Sequence, residues 1–304
     1  VVAIATSRPD DARRLCDPDV ALFTDYSDLF RCAELDAVIV CVPTHLHEQF
    51  VLEAVSHGLS VLCEKPFALD LAAAQRMLDA AHRNQTCLMI AHVLRFWPPY
   101  VRIKQLVGGG AIGSVQAVAA YRLTKYPPWG DWFRDPRKSG GALLDLQVHD
   151  ADFIYWLLGS PEEVYAAGIQ SDTESWDQVT AVLRYSNVVA TMESTYLMPE
   201  AWPFTCGIRV SGSRGCLEYL FRVGGNVEQR ELANSSLLMY TNGGGVGEPE
   251  VSKDDMYVVQ LRYFVECVAG KQPPSMCPPK ETLEVMRIMG ACQQSLSTHT
   301  PVHL

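Results

Sequence analysis

Lys65, Asp145 and His149 have residue types and spacing suited to steadying a charge and moving a proton. Lys65 closes a short apolar run, Val61-Leu62-Cys63-Glu64, and precedes Pro66. The run reads as a buried strand and Leu71 to Ala81 as the helix after it. Lys65 then falls at the carboxyl end of a strand, where open α/β sheets bind ligands, and Pro66 biases it to an extended backbone. A solvated lysine in a strand–helix loop is the other reading. Asp145 and His149 lie four apart in an apolar stretch from about Ala142 to Leu158. That stretch reads as one helix, ended by Gly159 with Pro161 beyond, and the pair shares a helix face. Histidine exchanges protons near neutral pH. A neighbouring carboxylate would favour its charged form and orient its ring. The bland alternative is an Asp–His pair satisfied by ordinary hydrogen bonds.

If Lys65 meets this pair, the chemistry is coherent. A substrate hydroxyl gives its proton to His149 while the carbon-bound hydrogen leaves as hydride to a nicotinamide. Lys65 stabilises the developing oxyanion or relays its proton, and Asp145 positions the substrate. No metal is required. His45 and His47, two apart at a strand-to-helix turn, could ligate zinc, but no third or fourth ligand is placed. A loop role beside a ligand suits them better. Trp129, Trp132, Phe133 and Arg134 could stack on and hydrogen-bond a sugar, or form a hydrophobic flap or subunit contact. Ser139 before Gly140-Gly141 is no nucleophile elbow, because no strand leads into it.

The elements that must position these groups fall into two halves. Val1 to Ala5 reads as a strand, Asp10 to Leu15 and Asp25 to Arg31 as short helices. Asp36 to Val42 is a continuous apolar run, as for a strand covered on both faces. A turn at Pro43-Thr44-His45-Leu46-His47 leads to a helix that runs to His57, with Gly58 as its cap. After the Lys65 strand and its helix comes a strand at Thr86 to Ile90. Strands alternating with helices at this spacing form a parallel sheet with right-handed crossovers. From a boundary near His92 the pattern changes. Arg95 to Tyr100 is dense in aromatic and cationic residues, and a helix runs to about Val107. Alternating segments follow at Val115 to Tyr121, Val179 to Tyr185, Val188 to Tyr196, Thr205 to Ser211 and Cys216 to Phe221, as for a mainly antiparallel sheet. Met256 to Val268 and Lys280 to Ser297 read as helices joined by a proline-rich loop.

Composition narrows the partners. Of the 304 residues 48% are hydrophobic and 20% charged, and the net charge is −10, which argues against nucleic acid or an anionic membrane surface. No apolar stretch approaches a membrane span, and Val1 to Ala5 is too short for a signal peptide's apolar core. The ten cysteines form no C-x-x-C and read as buried free thiols of a reducing cytoplasm. No glycine precedes Gly58, so the glycine-rich turn that holds a dinucleotide's pyrophosphate does not open this sequence. The sequence starts at what would be the second strand of such a fold. At the end of that strand, Thr6-Ser7-Arg8 suits the phosphate of NADP better than the ribose hydroxyls of NAD. The alternative is that these residues cap the next helix and face water.

The chain resembles the glucose–fructose oxidoreductase, inositol dehydrogenase and rhizopine-catabolism (Gfo/Idh/MocA) family. The resemblance rests on Pro43-Thr44-His45-Leu46-His47, Glu64-Lys65-Pro66, Ser139-Gly140-Gly141-Ala142, Asp145 to Asp150, and Gly270 to Ser275 followed by Glu281. It implies an α/β fold: a Rossmann-type parallel sheet over residues 1–92, and an α+β domain with an open, mainly antiparallel sheet over 93–304. It further implies NAD(P)-dependent oxidation or reduction of a sugar, cyclitol or related derivative by a homodimer or homotetramer. By motif position Lys65, Asp145 and His149 would be catalytic. Pro43, Thr44, His47, Glu64, Lys65 and Arg95 would join Thr6, Ser7 and Arg8 by the cofactor, and Arg95 and Trp132 would lie near nicotinamide or substrate. The missing front is the departure, expected to mean either a fragment of a longer protein or a lost phosphate site. Two other functions fit the same fold: a catalytically silent sugar or nucleotide sensor, and a glycosidase using tightly held NAD.

Overall fold

A computed structural model describes residues 1–32, 34–172, 174–224 and 234–304 of the chain. Its first part is β1 (Ala3–Ala5), α1 (Pro9–Leu15), β2 (Ala21–Phe23), α2 (Tyr26–Cys32), β3 (Ala37–Val40), α3 (His47–Ser56), β4 (Ser60–Cys63), α4 (Leu71–Arg83) and β5 (Leu88–Ile90). All pairings among these strands are parallel, as the alternation of strands and helices requires. The expected single sheet is instead two: β1 pairs with β2, β3 with β4 and β4 with β5, and no pairing among the described residues joins β1 to β3. The strand β2, only three residues long, was not legible as a strand.

Period-two alternation explains why β4 and β5 are apolar throughout. Val61, Cys63, Leu88 and Ile90 belong to the core that includes α3 and α4. Leu62 and Met89 point the other way, onto Phe264 of a distant helix, α8 (Met256–Ala269). β3 departs from expectation. It is not covered on both faces: Ile39, opposite Leu62, is 48% exposed, and Cys41 just beyond it is exposed too. Its second edge has no partner strand among the described residues. Cys16, Cys41, Cys63, Cys87, Cys206, Cys216, Cys267, Cys277 and Cys292 are free thiols, and five of them are buried.

The second part continues through α5 (Pro98–Gly108), β6 (Val115–Leu123), α6 (Pro136–Ser139), α7 (Val148–Leu158), β7 (Glu163–Gln170), β8 (Trp176–Arg184), β9 (Val189–Thr195), β10 (Phe204–Gly212), β11 (Gly215–Val223), β12 (Asn234–Thr241), β13 (Val246–Gly247), α8, α9 (Pro279–Thr298) and β14 (Val302–His303). Among the described residues nine strands form one sheet in the order β13-β12-β11-β10-β6-β9-β8-β7-β14. Only β6–β9 is parallel. β7 escaped the sequence reading because Tyr165, Ala167 and Ile169 face outward and blur its alternation. One face of this sheet is buried under α7 and α9, through Val118, Val164, Val179, Met192 and Ile208. The other face has exposed Tyr165, Ile169 and Val189. α9 packs on β7, α7 and α4, and so ties the two sheets together. No described helix is long and apolar enough to cross a membrane.

Candidate active site

The expected single helix from Ala142 is interrupted at its start. Leu143–Gln147 is a π-helical turn, and only from Val148 is the helix regular. Gly140 and Gly141 set up this entry with φ of +75° and +67°, values that favour glycine. A Cβ on Gly141 would also sit 2.2 Å from Ser175 Oγ. The Gly141 N–H donates to Ser139 Oγ at 3.1 Å, and Ser139 in turn donates to the Phe133 carbonyl at 2.9 Å. Single-turn π segments are frequent at functional sites, and here the turn presents Asp145.

Lys65 reaches Asp145 across eighty residues of sequence. Its Nζ donates to Asp145 Oδ1 at 2.8 Å and to the Asp145 carbonyl at 2.7 Å. An ammonium has three donors, so one remains for a ligand. Asp145 Oδ2 accepts from the Tyr196 hydroxyl. These groups line one cleft of about 630 Å³ together with Glu64, Arg122 and His149. Its outer wall is apolar, built from Trp97, Tyr126, Pro127, Trp129 and Phe133.

His149 lies in this cleft but does not pair with Asp145. Its Nδ1 has no hydrogen-bond partner among the described residues. Asp145 was expected to hold the ring in its charged form. Instead, burial, followed by the charges of Lys65, Arg122 and His92, lowers the His149 pKa well below its ordinary value. These causes favour the neutral ring, and its Nδ1 is left unengaged among the described residues. Arg122, 4% exposed, donates to Asp150 Oδ1 at 3.1 Å, and its Nε has no partner among the described residues. Glu64 accepts from the Lys65 N–H at 3.2 Å, and burial raises its pKa despite Lys65 alongside.

Several expected site residues lie elsewhere. Arg95 is 1% exposed and off the cleft. Its guanidinium is fixed on Asp152, with Nη2 to Oδ1 at 2.8 Å, on the Met276 carbonyl at 3.0 Å and on Glu281. It is a buried strut that ties the segment after β5 to α7 and α9. Trp132 stacks on Phe133 at 4.0 Å and does not line the cleft, whereas Trp129 and Phe133 do. Thr44 and His47 are buried, and neither they nor Pro43 line the cleft. The His47 ring lies between the carbonyls of Pro66, 2.9 Å from Nδ1, and Val42, 3.0 Å from Nε2, tying the turn after β3 to the turn after β4. Both ring nitrogens face carbonyl oxygens, which removes His47 as a zinc ligand. Thr6 accepts the Arg8 N–H at 3.1 Å, while Ser7 and Arg8 are exposed at the end of β1.

Tyr196, Tyr126 and Arg122 were missed. Arg122 did carry a signal: it shares the inward parity of Val118 and Ala120 in β6, and a charge on a sheet's covered face needs a use or a partner. Tyr196 gave none, since its partner Asp145 is joined to it only by the fold.

A parallel α/β unit packed on an α+β unit, with a cleft that carries charged groups at the carboxyl ends of the parallel strands, defines a protein of the dinucleotide-binding class. Comparison with known proteins makes this specific. Residues 1–92 match the family model of oxidoreductases with an NAD-binding Rossmann fold, and residues 100–218 match the GFO/IDH/MocA C-terminal domain. The chain belongs to the GFO/IDH/MocA family of NAD(P)-binding oxidoreductases. It is 29% identical over 311 residues to D-xylose 1-dehydrogenase (NADP(+)) 2 of Haloferax volcanii, covering 99% of this chain and 92% of that one. To the myo-inositol 2-dehydrogenase of Thermotoga maritima it is 26% identical over 267 residues, 84% of this chain and 75% of that one. Among solved structures, the aldose-aldose oxidoreductase of Caulobacter crescentus superposes with a TM-score of 0.84 at 21% identity, over 99% and 90% of the two chains, which shows a shared fold.

Proposed function

We propose that the chain is an NAD(P)-dependent dehydrogenase or reductase of sugars, cyclitols or related polyols, working at the Lys65–Asp145–His149 cleft. The observation that supports this most is the meeting of those three side chains in one cleft at the carboxyl end of β4. The names of the xylose and inositol dehydrogenases among its relatives support the substrate class. We divide the chain near His92, residues 1–92 taking the cofactor and 93–304 most of the substrate.

The residues fit a dinucleotide at its two ends. Glu64, Lys65, Ala91 and Val93 form the cleft wall where a nicotinamide would lie. Ser7 and Arg8 are exposed at the end of β1, where a phosphate on the adenosine ribose would be met. A bound nicotinamide supplies the hydride acceptor or donor. The protein's own residues do the rest. Neutral His149 takes the hydroxyl proton at an imidazole nitrogen. Lys65 gives its free N–H to the same oxygen as charge grows there, and Asp145 keeps the ammonium in place. Trp129 and Phe133 offer aromatic faces to a sugar ring and exclude water. We place the protein in a reducing compartment and propose that it is a homodimer or homotetramer, joined through the uncovered sheet face that bears Tyr165, Ile169 and Val189.

The test is a fluorescence titration with NADH and NADPH, followed by turnover of D-xylose, myo-inositol and a panel of related sugars. The reading expects saturable cofactor binding, turnover of one such substrate, and loss of turnover in His149→Ala with cofactor binding kept. A His149→Ala protein that turns over normally would sink the assigned chemistry.

A further inference from the structure

We infer that Tyr196 is a positioning residue: it holds Asp145 so that Lys65 stays aimed at the substrate oxygen. A carboxylate turns easily about its last torsion, which is broad and nearly two-fold. Here both oxygens are engaged, Oδ1 by Lys65 and Oδ2 by Tyr196. Lys65, anchored also on the Asp145 backbone carbonyl at 2.7 Å, holds only Oδ1, and Tyr196 supplies the second point that fixes the plane of the group.

Tyr196 is itself immobilised. It is 2% exposed. Its backbone N–H donates to the Asp177 carbonyl at 2.8 Å. Its ring stacks on Tyr126 at 4.5 Å and 15°, and the Tyr126 hydroxyl donates to Asp177 Oδ1. The Arg134 guanidinium lies 4.2 Å from the centre of the Tyr126 ring. Asp177 is fully buried on β8. A rigid chain therefore runs from the nine-stranded sheet through Tyr196 to the π turn, and ends on the lysine delivered by the parallel sheet. Burial, then the neighbouring Asp145, keeps the phenol protonated, so it is a permanent donor.

The inference rests on Lys65 as the group that meets substrate, but its test needs no turnover. The full chain is treated with trinitrobenzenesulfonate, and the labelling rate of each lysine is read by mass spectrometry. Lys104 and Lys138 serve as internal references. Tyr196→Phe keeps the ring and its stacking and removes only the hydroxyl. It should raise the Lys65 rate about tenfold, the lower end of the scale of one lost charge-assisted hydrogen bond, with the reference lysines unchanged. Asp145→Asn should raise it similarly. The double variant should label no faster than Asp145→Asn alone, because the tyrosine acts through that carboxylate. An unchanged Lys65 rate in Tyr196→Phe overturns the inference, as does a double variant faster than Asp145→Asn. If Tyr196→Phe also speeds the reference lysines, the fold has loosened and Tyr126→Phe decides. One step further back, it should raise only the Lys65 rate, about twofold, and no rise there overturns the inference. Failure to bind NADH or NADPH would count against the proposed reaction and leave this result untouched.

Discussion

Lys65 and Arg95 are built by the same grammar and end in opposite roles. Each follows one of two adjacent parallel strands, β4 and β5, and each meets a carboxylate on the same helical segment, Asp145 or Asp152. The first pair keeps 17% and 10% side-chain exposure, the second 1% and 1%. The difference is what covers them. The α8–α9 loop closes over Arg95 with the Met276 carbonyl and the first turn of α9 with Glu281, so that with Asp152 the guanidinium is engaged on three sides. Lys65 opens into the cleft with one donor to spare. A cation at a strand's carboxyl end becomes a site or a strut according to whether the chain returns to cover it.

Removing each cation tests that distinction, with the largest effect at the strut. Arg95→Ala leaves Asp152 buried with its main partner gone. It should cost about 3–5 kcal/mol of stability in urea unfolding. Lys65→Ala, at a pair that keeps 17% and 10% side-chain exposure and leaves Asp145 its Tyr196 partner, should cost less, about 1–3 kcal/mol. Its effect should be on turnover of the substrate found by screening, down by about 10²–10³-fold. An Arg95→Ala protein of normal stability with weakened cofactor binding would return Arg95 to the site and break the comparison.

This is also the line along which the sequence was legible. Lys65, and the pair Asp145 and His149, could be singled out because residue type, strand end and helical spacing are local properties, whereas their grouping came only from the family resemblance. Apolar runs located β3, β4 and β5, and in β4 and β5 the lost alternation does reflect burial on both faces. Arg95 could not be sorted from Lys65, because its cover comes from Met276 and Glu281, far along the chain. The π turn was hidden because its residues are ordinary helix formers. Within it Asp145 meets Lys65 and Tyr196 rather than His149. Exposure of Ile39 was hidden likewise, since an apolar run says nothing of which strands flank it.

Beside the strut lies His92, fully buried, with Nδ1 3.6 Å from Asp152 Oδ2. Burial lowers its pKa to about 4, against the pull of Asp152. The sign follows directly. An unfolded chain takes up this proton near pH 6.5, while the folded one refuses it until about pH 4. Below pH 6.5 the unfolded state therefore binds more protons, and stability falls by about 1.4 kcal/mol per pH unit for this one group. His149 acts with the same sign, whereas Glu64 and Asp150, raised by burial, act against it. A variant isolates the group. Urea unfolding of wild type and His92→Asn at pH 7 and pH 5 should show their stability difference moving by roughly 2 kcal/mol in the variant's favour at the lower pH. A difference independent of pH would mean that His92 does not report the buried environment which separates Arg95 from Lys65.

The smallest effect is expected at a third cation, which extends the comparison to full exposure. Arg8 ends β1 as Lys65 ends β4 and Arg95 follows β5, but it is exposed, and its guanidinium has no partner among the described residues. With nothing to leave unpaired, Arg8→Ala should leave stability within about 0.5 kcal/mol of wild type. If Arg8 meets the ribose phosphate that distinguishes NADP from NAD, its removal should weaken NADPH about fivefold to tenfold and leave NADH unchanged. The neighbouring Ser7→Ala should act in the same direction and less strongly, because it removes one hydrogen bond to the phosphate and no charge. Equal losses for both nucleotides would mean that Arg8 senses the shared part of the cofactor. No loss for either would mean that a cation without cover and without a partner at a strand end is only surface.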